Sequence, residues 1–163
     1  MGSRNDVVFK EGDCNCHLRE IFPKISYNAK QRALCILDSY GLHIKWDVIK
    51  LAGKQKSIEL FIHFPVMDIQ RNALWANPDR LPEDKIERMN RAWGDSSWLD
   101  VSYDNSQLTF NGEKHKVKKK TEAILNEFRN RLINIADYFC TKAEANENKT
   151  WFNYLLFILC FAG

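Results

Sequence analysis

Short apolar runs alternate with amphipathic stretches from Asp6 to Phe64. The segment DVVFKEGD, Asp6 to Asp13, reads as a strand closing on Gly12 and Asp13, and CNCHLREIF after it as a short helix. RALCILD, Arg32 to Asp38, is a second strand, apolar on both faces. WDVIKLAGK, Trp46 to Lys54, is a helix with Asp47 in its acidic first turn, and SIELFIHF, Ser57 to Phe64, is a third strand. Strand, helix, strand, helix, strand predicts a parallel sheet with crossover helices.

After Pro65 the pattern becomes helical. DIQRNALW offers Asp68 as the cap of a short helix. LPEDKIERMNRAW opens with Pro82 in a favoured first-turn position and carries Ile86, Met89, Asn90 and Trp93 at helical spacing. Over 121–139, a stripe of Ile124, Leu125, Phe128, Leu132, Ile135 and Ala136 predicts the longest helix. The last apolar runs, around Tyr138 to Thr141 and Trp151 to Phe161, flank a polar loop and predict a terminal antiparallel hairpin. The domain is therefore expected to be α/β over 1–163, mostly parallel, with a helical insertion at about 66–104.

Composition changes this picture little. With 163 residues, 45% apolar and 28% charged, the chain is one domain or part of one, unlike a disordered chain. A net charge of +3 does not by itself argue for nucleic acid, and only Lys114 to Lys120 is locally basic, as a solvated helix start or a phosphate-binding patch. Five cysteines at irregular spacing, two of them in apolar runs, point to a reducing cytoplasm. Cys14, Cys16 and His17 lack a second ligand pair at zinc-site spacing, so no metal is expected. No apolar run reaches the ~18 residues of a membrane span, and the first residues lack the apolar core of a signal peptide.

Candidate chemistry gathers where strands end. In open α/β sheets ligands lie beyond the carboxyl ends of the strands. Asp38, Tyr40 and Gly41 follow the second strand, Asp13 and Asn15 follow the first, and Asp68, Arg71 and Asn72 follow the third. Arg71 stands three residues past Asp68, close enough for a local ion pair, or it grips an anionic or amide-bearing substrate together with Asn72. Trp75, Trp93 and Trp98 in the insertion are either packing or a stacking lid for a base.

Four ordered motifs carry a family resemblance: GDCN at Gly12 to Asn15, ALCILDSYGLHIKWDVI at Ala33 to Ile49, IELFIHFPVMDIQRNALW at Ile58 to Trp75, and RMNRAWGDSSW at Arg88 to Trp98. Together they resemble the three-Cys-motif partner proteins of bacteria, mobile elements and phages, over nearly the whole chain. That resemblance implies a class I methyltransferase-like, Rossmann-type fold with sheet order 3-2-1-4-5-7-6, encoded beside a three-Cys-motif protein that is the implied partner. The family opens with a glycine-rich strand-to-helix turn that nothing before Asp6 supplies, so the chain looks like a C-terminal fragment. On that numbering two absent strands would lie between Val7–Phe9 and Ala33–Leu37. Val7–Phe9 is then expected to pair directly beside Ala33–Leu37 or to stay poorly ordered.

The resemblance also implies roles. Asp38 with Tyr40 is similar to the Asp-Pro-Pro-Tyr motif of adenine amino-methyltransferases, in which an acceptor polarises the amine and the ring stacks on the base; Ser39 here stands where the family usually has proline. Asp13 and Asn15 would contact S-adenosylmethionine, although Asp13 equally suits a helix cap, and the cofactor is expected only in a full-length form. By their placement around the same mouth, and not by the resemblance, Asp68, Arg71, Asn72 and Trp98 would contact substrate. The implied activity is methyl transfer to an unidentified acceptor, with nucleic acid a candidate. The alternative is a non-catalytic subunit that docks on the three-Cys-motif protein. The tail CFAG also admits a circularly permuted order, in which the glycine turn would begin at the end of this chain.

Overall fold

The computed structural model describes residues 6–75, 77–108, 114–118, 121–140 and 156–162. Its elements are α1 (Cys14–Ile21), β1 (Ala33–Leu37), α2 (Trp46–Lys54), β2 (Ile58–Phe64), α3 (Val66–Asn72), α4 (Glu83–Trp93), α5 (Trp98–Ser102), β3 (Tyr103–Leu108), β4 (Lys114–Lys118), α6 (Thr121–Ala136), β5 (Tyr138–Cys140) and β6 (Leu156–Ala162). Two short 3-10 turns, Phe22–Lys24 and Pro78–Arg80, complete it.

The main sheet has the order β1-β2-β6-β5. β1 and β2 are parallel, with Ala33 opposite Ile58 and Leu37 opposite Ile62. β6 runs antiparallel to β2 on one side and to β5 on the other. The fold is therefore mixed α/β, with a partly parallel sheet and six α-helices among the described residues. The expected hairpin corresponds to β5 and β6, and the loop expected between them falls at 141–155, outside the described residues.

The alternation along β2 decides which face is core. Ile58, Leu60, Ile62 and Phe64 are buried, whereas Glu59 is exposed. The buried face meets Trp46, Val48, Ile49 and Ala52 of α2 and Phe128 and Leu132 of α6 in one cluster. Phe128 is its hub, with ring centroids 4.6 Å from Phe64 and 5.7 Å from Trp46. α2 and α6 approach closely because α2 carries Gly53, where a Cβ would stand 1.8 Å from the Ala136 carbonyl oxygen. The other face is open at β1: Leu34 is 59% and Ile36 64% exposed.

Five expectations need correction. Val7–Phe9 forms no strand and does not pair with β1; all three side chains are exposed, Phe9 almost wholly. Three apolar residues followed by Lys10, Glu11 and Gly12 bury too little to offset the entropy of ordering them. α3 begins at Val66, with Pro65 at its N-cap, so Asp68 lies inside the first turn and does not cap it. Pro82 is likewise the N-cap of α4 and not its first helical residue. Lys114–Lys118 is a strand paired with Tyr103–Leu108, not a helix start, so the helical insertion is followed by an unforeseen β3–β4 hairpin. Finally, α6 ends at Ala136, because Asp137 takes a left-handed φ of 59° and turns the chain into β5.

Candidate functional site

Two strand ends and one helix start enclose a cleft of about 440 Å³. β1 delivers Asp38, Ser39, Tyr40 and Gly41; β2 delivers His63 and Pro65; α3 delivers Val66, Met67, Asp68, Arg71 and Asn72. Parallel pairing of β1 with β2 puts both carboxyl ends on one edge of the sheet, which is why residues 25 positions apart become neighbours there. Five of the eight candidate residues, Asp38, Tyr40, Asp68, Arg71 and Asn72, line this single cleft.

Asp38 and His63 form the polar floor. His63 Nδ1 lies 2.9 Å from Asp38 Oδ1, with the histidine side chain 17% exposed and the carboxylate 73% exposed. In the sequence His63 reads only as the polar member of an alternating strand. The only available cue was its place one residue before the end of β2, opposite the residue that follows β1 in register.

The turn after β1 is held by its own short contacts. The Gly41 amide donates to the Ser39 carbonyl at 2.8 Å, and the Ser39 hydroxyl donates to the Gly41 carbonyl at 2.8 Å. Serine thus restrains from its side chain a loop that proline would restrain through φ. Gly41 has φ of 101°, and a Cβ on it would stand 2.9 Å from Asp68 Oδ2, so glycine is required on both counts. The turn leaves the Tyr40 side chain wholly exposed on the cleft rim.

Asp68 ties this turn to the helices. Its carboxylate accepts from the Leu42 amide at 3.1 Å, from Asn72 Nδ2 at 2.6 Å and from Arg88 of α4 at 3.3 Å. Asn72 in turn accepts from Lys85 Nζ at 2.8 Å. Of the two readings of Arg71, the local ion pair with Asp68 does not form; Asp68 pairs with Arg88. Arg71 is exposed, and its guanidinium makes no ion pair among the described residues.

Asp13 and Asn15 are placed differently. Asp13 is the N-cap of α1 and accepts from the Asn15 amide at 2.9 Å and from Asn15 Nδ2 at 2.8 Å. Asn15 is buried; Nδ2 also donates to the His43 carbonyl at 2.9 Å, and Oδ1 accepts from the Lys45 amide at 2.9 Å. The side-chain and backbone hydrogen bonds from Asn15, with a contribution from Lys45, hold the Asp13 carboxyl below its ordinary pKa. These two residues staple α1 to the loop that carries the cleft. The Asn15 amide atoms and Asp13 Oδ1 are engaged in that staple, whereas Asp13 Oδ2 belongs to a half-exposed side chain; neither residue lines the cleft.

Trp98 also lies elsewhere. It is fully buried, its indole N–H donates to Asn90 Oδ1 at 2.7 Å, and it does not line the cleft; it packs the core and does not stack over the mouth. Trp93 is buried too, and with Trp46 it sandwiches Arg131, whose guanidinium carbon lies 5.3 and 5.1 Å from the two ring centroids. Arg131 is 8% exposed and donates to the Trp93 carbonyl and to Asp95, each at 2.9 Å.

Cys35 is half-buried, and burial, aided by Cys14, pushes its thiol up to about 11, so it behaves as a small hydrophobe. Among the described residues no three histidine, cysteine or acidic side chains gather as a metal site requires, and no helix is long and apolar enough to cross a membrane. Comparison of the chain with protein-family models, with curated proteins and with solved structures finds no match.

Proposed function

We propose that the chain forms the acceptor-side half of an S-adenosylmethionine-dependent, methyltransferase-like domain of Rossmann type, related to the three-Cys-motif partner proteins. The observation that carries this reading is the strand order. β1-β2-β6-β5, with β6 alone reversed, has the order and directions of the last four strands, 4-5-7-6, of a class I methyltransferase sheet. Asp38 then stands at the end of strand 4, where amino-methyltransferases keep their amine-accepting carboxylate.

The cleft supplies what an amine acceptor needs. One Asp38 oxygen lies against His63, and the carboxylate is open enough to accept a hydrogen bond from a substrate N–H. Such a bond orients the amine and raises its electron density, and Tyr40 offers a face for stacking a planar group. Asp13 and Asn15 serve in the α1 staple on this reading, so the cofactor is expected to draw its contacts from elsewhere.

The product of the complete reading frame that contains this sequence is the material for the test. Labelled methyl transfer should be lost in Asp38→Ala while S-adenosylmethionine binding, followed by isothermal titration, is unchanged. Transfer retained in Asp38→Ala would sink the assignment of the cleft.

A second reading has its own support in the edge of the sheet. β1 pairs on one side only among the described strands, and its exposed Leu34 and Ile36 carry none of the charges or prolines that usually protect a free edge. That surface suits a non-catalytic subunit docking on a three-Cys-motif protein. Ile36→Lys, which loses no buried contact within this chain, should then abolish co-purification with that protein; an undiminished complex would exclude this surface.

A further inference from the structure

We infer that β1 pairs antiparallel with β1 of a second copy of this chain, across a twofold axis at Cys35, so that Arg32 of the second copy stands against Asp38 at the mouth of the cleft. This does not rest on the acceptor-cleft reading. It assigns the open edge of the sheet to an occupant that the strand's own residues describe.

The backbone sets which registers are allowed. The Ala33 amide donates to the Ser57 carbonyl at 2.9 Å, and Ala33 stands opposite Ile58 in the parallel ladder. Alternation then turns the N–H and C=O groups of Ala33, Cys35 and Leu37 toward β2 and those of Leu34 and Ile36 toward the edge that no described strand occupies. A second β1 running antiparallel can exchange both hydrogen bonds between Leu34 and Ile36 on each side of the axis. Cys35 then faces Cys35 as the non-hydrogen-bonded pair between them.

The side chains select the same register. Arg32, Leu34, Ile36 and Asp38 are all exposed, and they alternate with the less exposed Ala33, Cys35 and Leu37. About an axis at Cys35, Leu34 meets Ile36 and Arg32 meets Asp38, each of them twice. A shift of one residue would set Leu34 against Cys35 or Leu37, whose backbone groups are spent on β2. A shift of two would set Asp38 against Leu34 or Arg32 against Ile36.

Both charges are available for this pairing. Arg32 lies over the Tyr27 ring at 4.0 Å and makes no ion pair among the described residues, and Asp38 is 73% exposed with one oxygen against His63. A patch that is its own complement is what a closed twofold dimer requires, because each residue must meet in the second copy the residue that meets it. The pairing covers Leu34 and Ile36, which are 59% and 64% exposed in the single chain. It also brings a cation to the carboxylate that the cleft presents.

Sedimentation of this chain between about 1 μM and 1 mM tests the inference, with a dimer and no larger species expected. Arg32→Glu and Asp38→Arg each set like charges opposite one another at both ends of the strand pair, so each should weaken the dimer at least about tenfold. An equimolar mixture of the two variants should recover it, because each end of the mixed pair again joins a cation to an anion. Circular dichroism matching that of the parent establishes that each variant is folded. Oxidation of the parent by copper–phenanthroline gives a check that needs no variant. Two Cys35 thiols should give up two protons and two electrons to the oxidant and join two copies, since the Cα atoms of such a pair lie about 4.5 Å apart, within the reach of a disulfide.

A monomer over the whole range, a dimer indifferent to both substitutions, a mixture that does not recover, or copies joined through cysteines other than Cys35 would overturn the inference. A monomer whose Leu34 and Ile36 amides become protected from hydrogen exchange only when a three-Cys-motif protein is added would overturn it too, and would give the edge to that protein.

Discussion

Asp38 and His63 sit at the carboxyl ends of neighbouring parallel strands with Oδ1 and Nδ1 2.9 Å apart. The pair faces a cleft and not the core, and that placement separates its loss from loss of fold. Asp38→Asn and Asp38→Ala should each shift the melting temperature by no more than a few degrees, under about 1 kcal/mol, because a carboxylate 73% exposed has little packing to lose. Thermal denaturation followed by circular dichroism checks this. A loss of about 2 kcal/mol or more would show the carboxylate to be holding the turn.

Asp68 predicts the opposite behaviour. Asp68→Ala removes the acceptor for the Leu42 amide, Asn72 and Arg88 together, in a side chain only 22% exposed. A loss of about 1–3 kcal/mol is expected in urea denaturation, with the amide signals of Gly41 and Leu42 moving in the NMR spectrum. Stability equal to that of Asp38→Ala would contradict the role of Asp68 as the tie between turn and helices.

Gly53 should be the least tolerant position in α2. In an ordinary helix Gly→Ala stabilises by up to about 1 kcal/mol. Here the added Cβ would meet the Ala136 carbonyl at 1.8 Å, so Gly53→Ala should instead destabilise by more than about 2 kcal/mol. A neutral or stabilising result would mean that α2 and α6 are not packed this closely.

The acid limb of stability should depend on Asp95. Partial burial raises its pKa, but the Ser97 hydroxyl and amide and the Arg131 guanidinium outweigh that and hold it below the ordinary 3.8. A carboxyl depressed in the folded state contributes stability that is present above its unfolded pKa and is lost as pH falls through the folded value. Asp95→Asn should therefore melt lower than the parent at neutral pH, and the gap should close once the pH is below both pKa values. A gap independent of pH would place the contribution in packing and not in charge.

Local rules read most of the elements correctly. The alternation in Ile58–Phe64 and the stripe through Ile124, Phe128 and Leu132 mark buried faces, whereas the apolar run Ala33–Leu37 marks a strand whose one face stays open at Leu34 and Ile36. What escaped depends on distant partners. Asp68 looks like a cap until the positive-φ turn at Gly41 brings the Leu42 amide within 3.1 Å of it. Arg131 carries no local sequence signal of its burial, because Trp46 and Trp93, which close on it, belong to two other helices. Val7–Phe9 has the composition of a strand, yet composition cannot say whether a neighbouring strand will receive it. In the site, Asp38 and Tyr40 were visible as a carboxylate and a ring at a strand end. His63 was not, because its partner is chosen by the register of two strands.

If the cleft takes the acceptor as proposed, Asp13 and Asn15 serve as its scaffold and not as a cofactor site. Titration of S-adenosylmethionine into the chain, followed by backbone amide chemical shifts, tests this most directly. The predicted result is no saturable change at Asp13, Asn15 or Asp38 up to millimolar concentration, since the Asn15 amide is spent in the staple and one remaining carboxylate oxygen at Asp13 cannot by itself offset the conformational entropy a flexible ligand loses on binding. Micromolar binding that shifts Asp13 and Asn15 would contradict it.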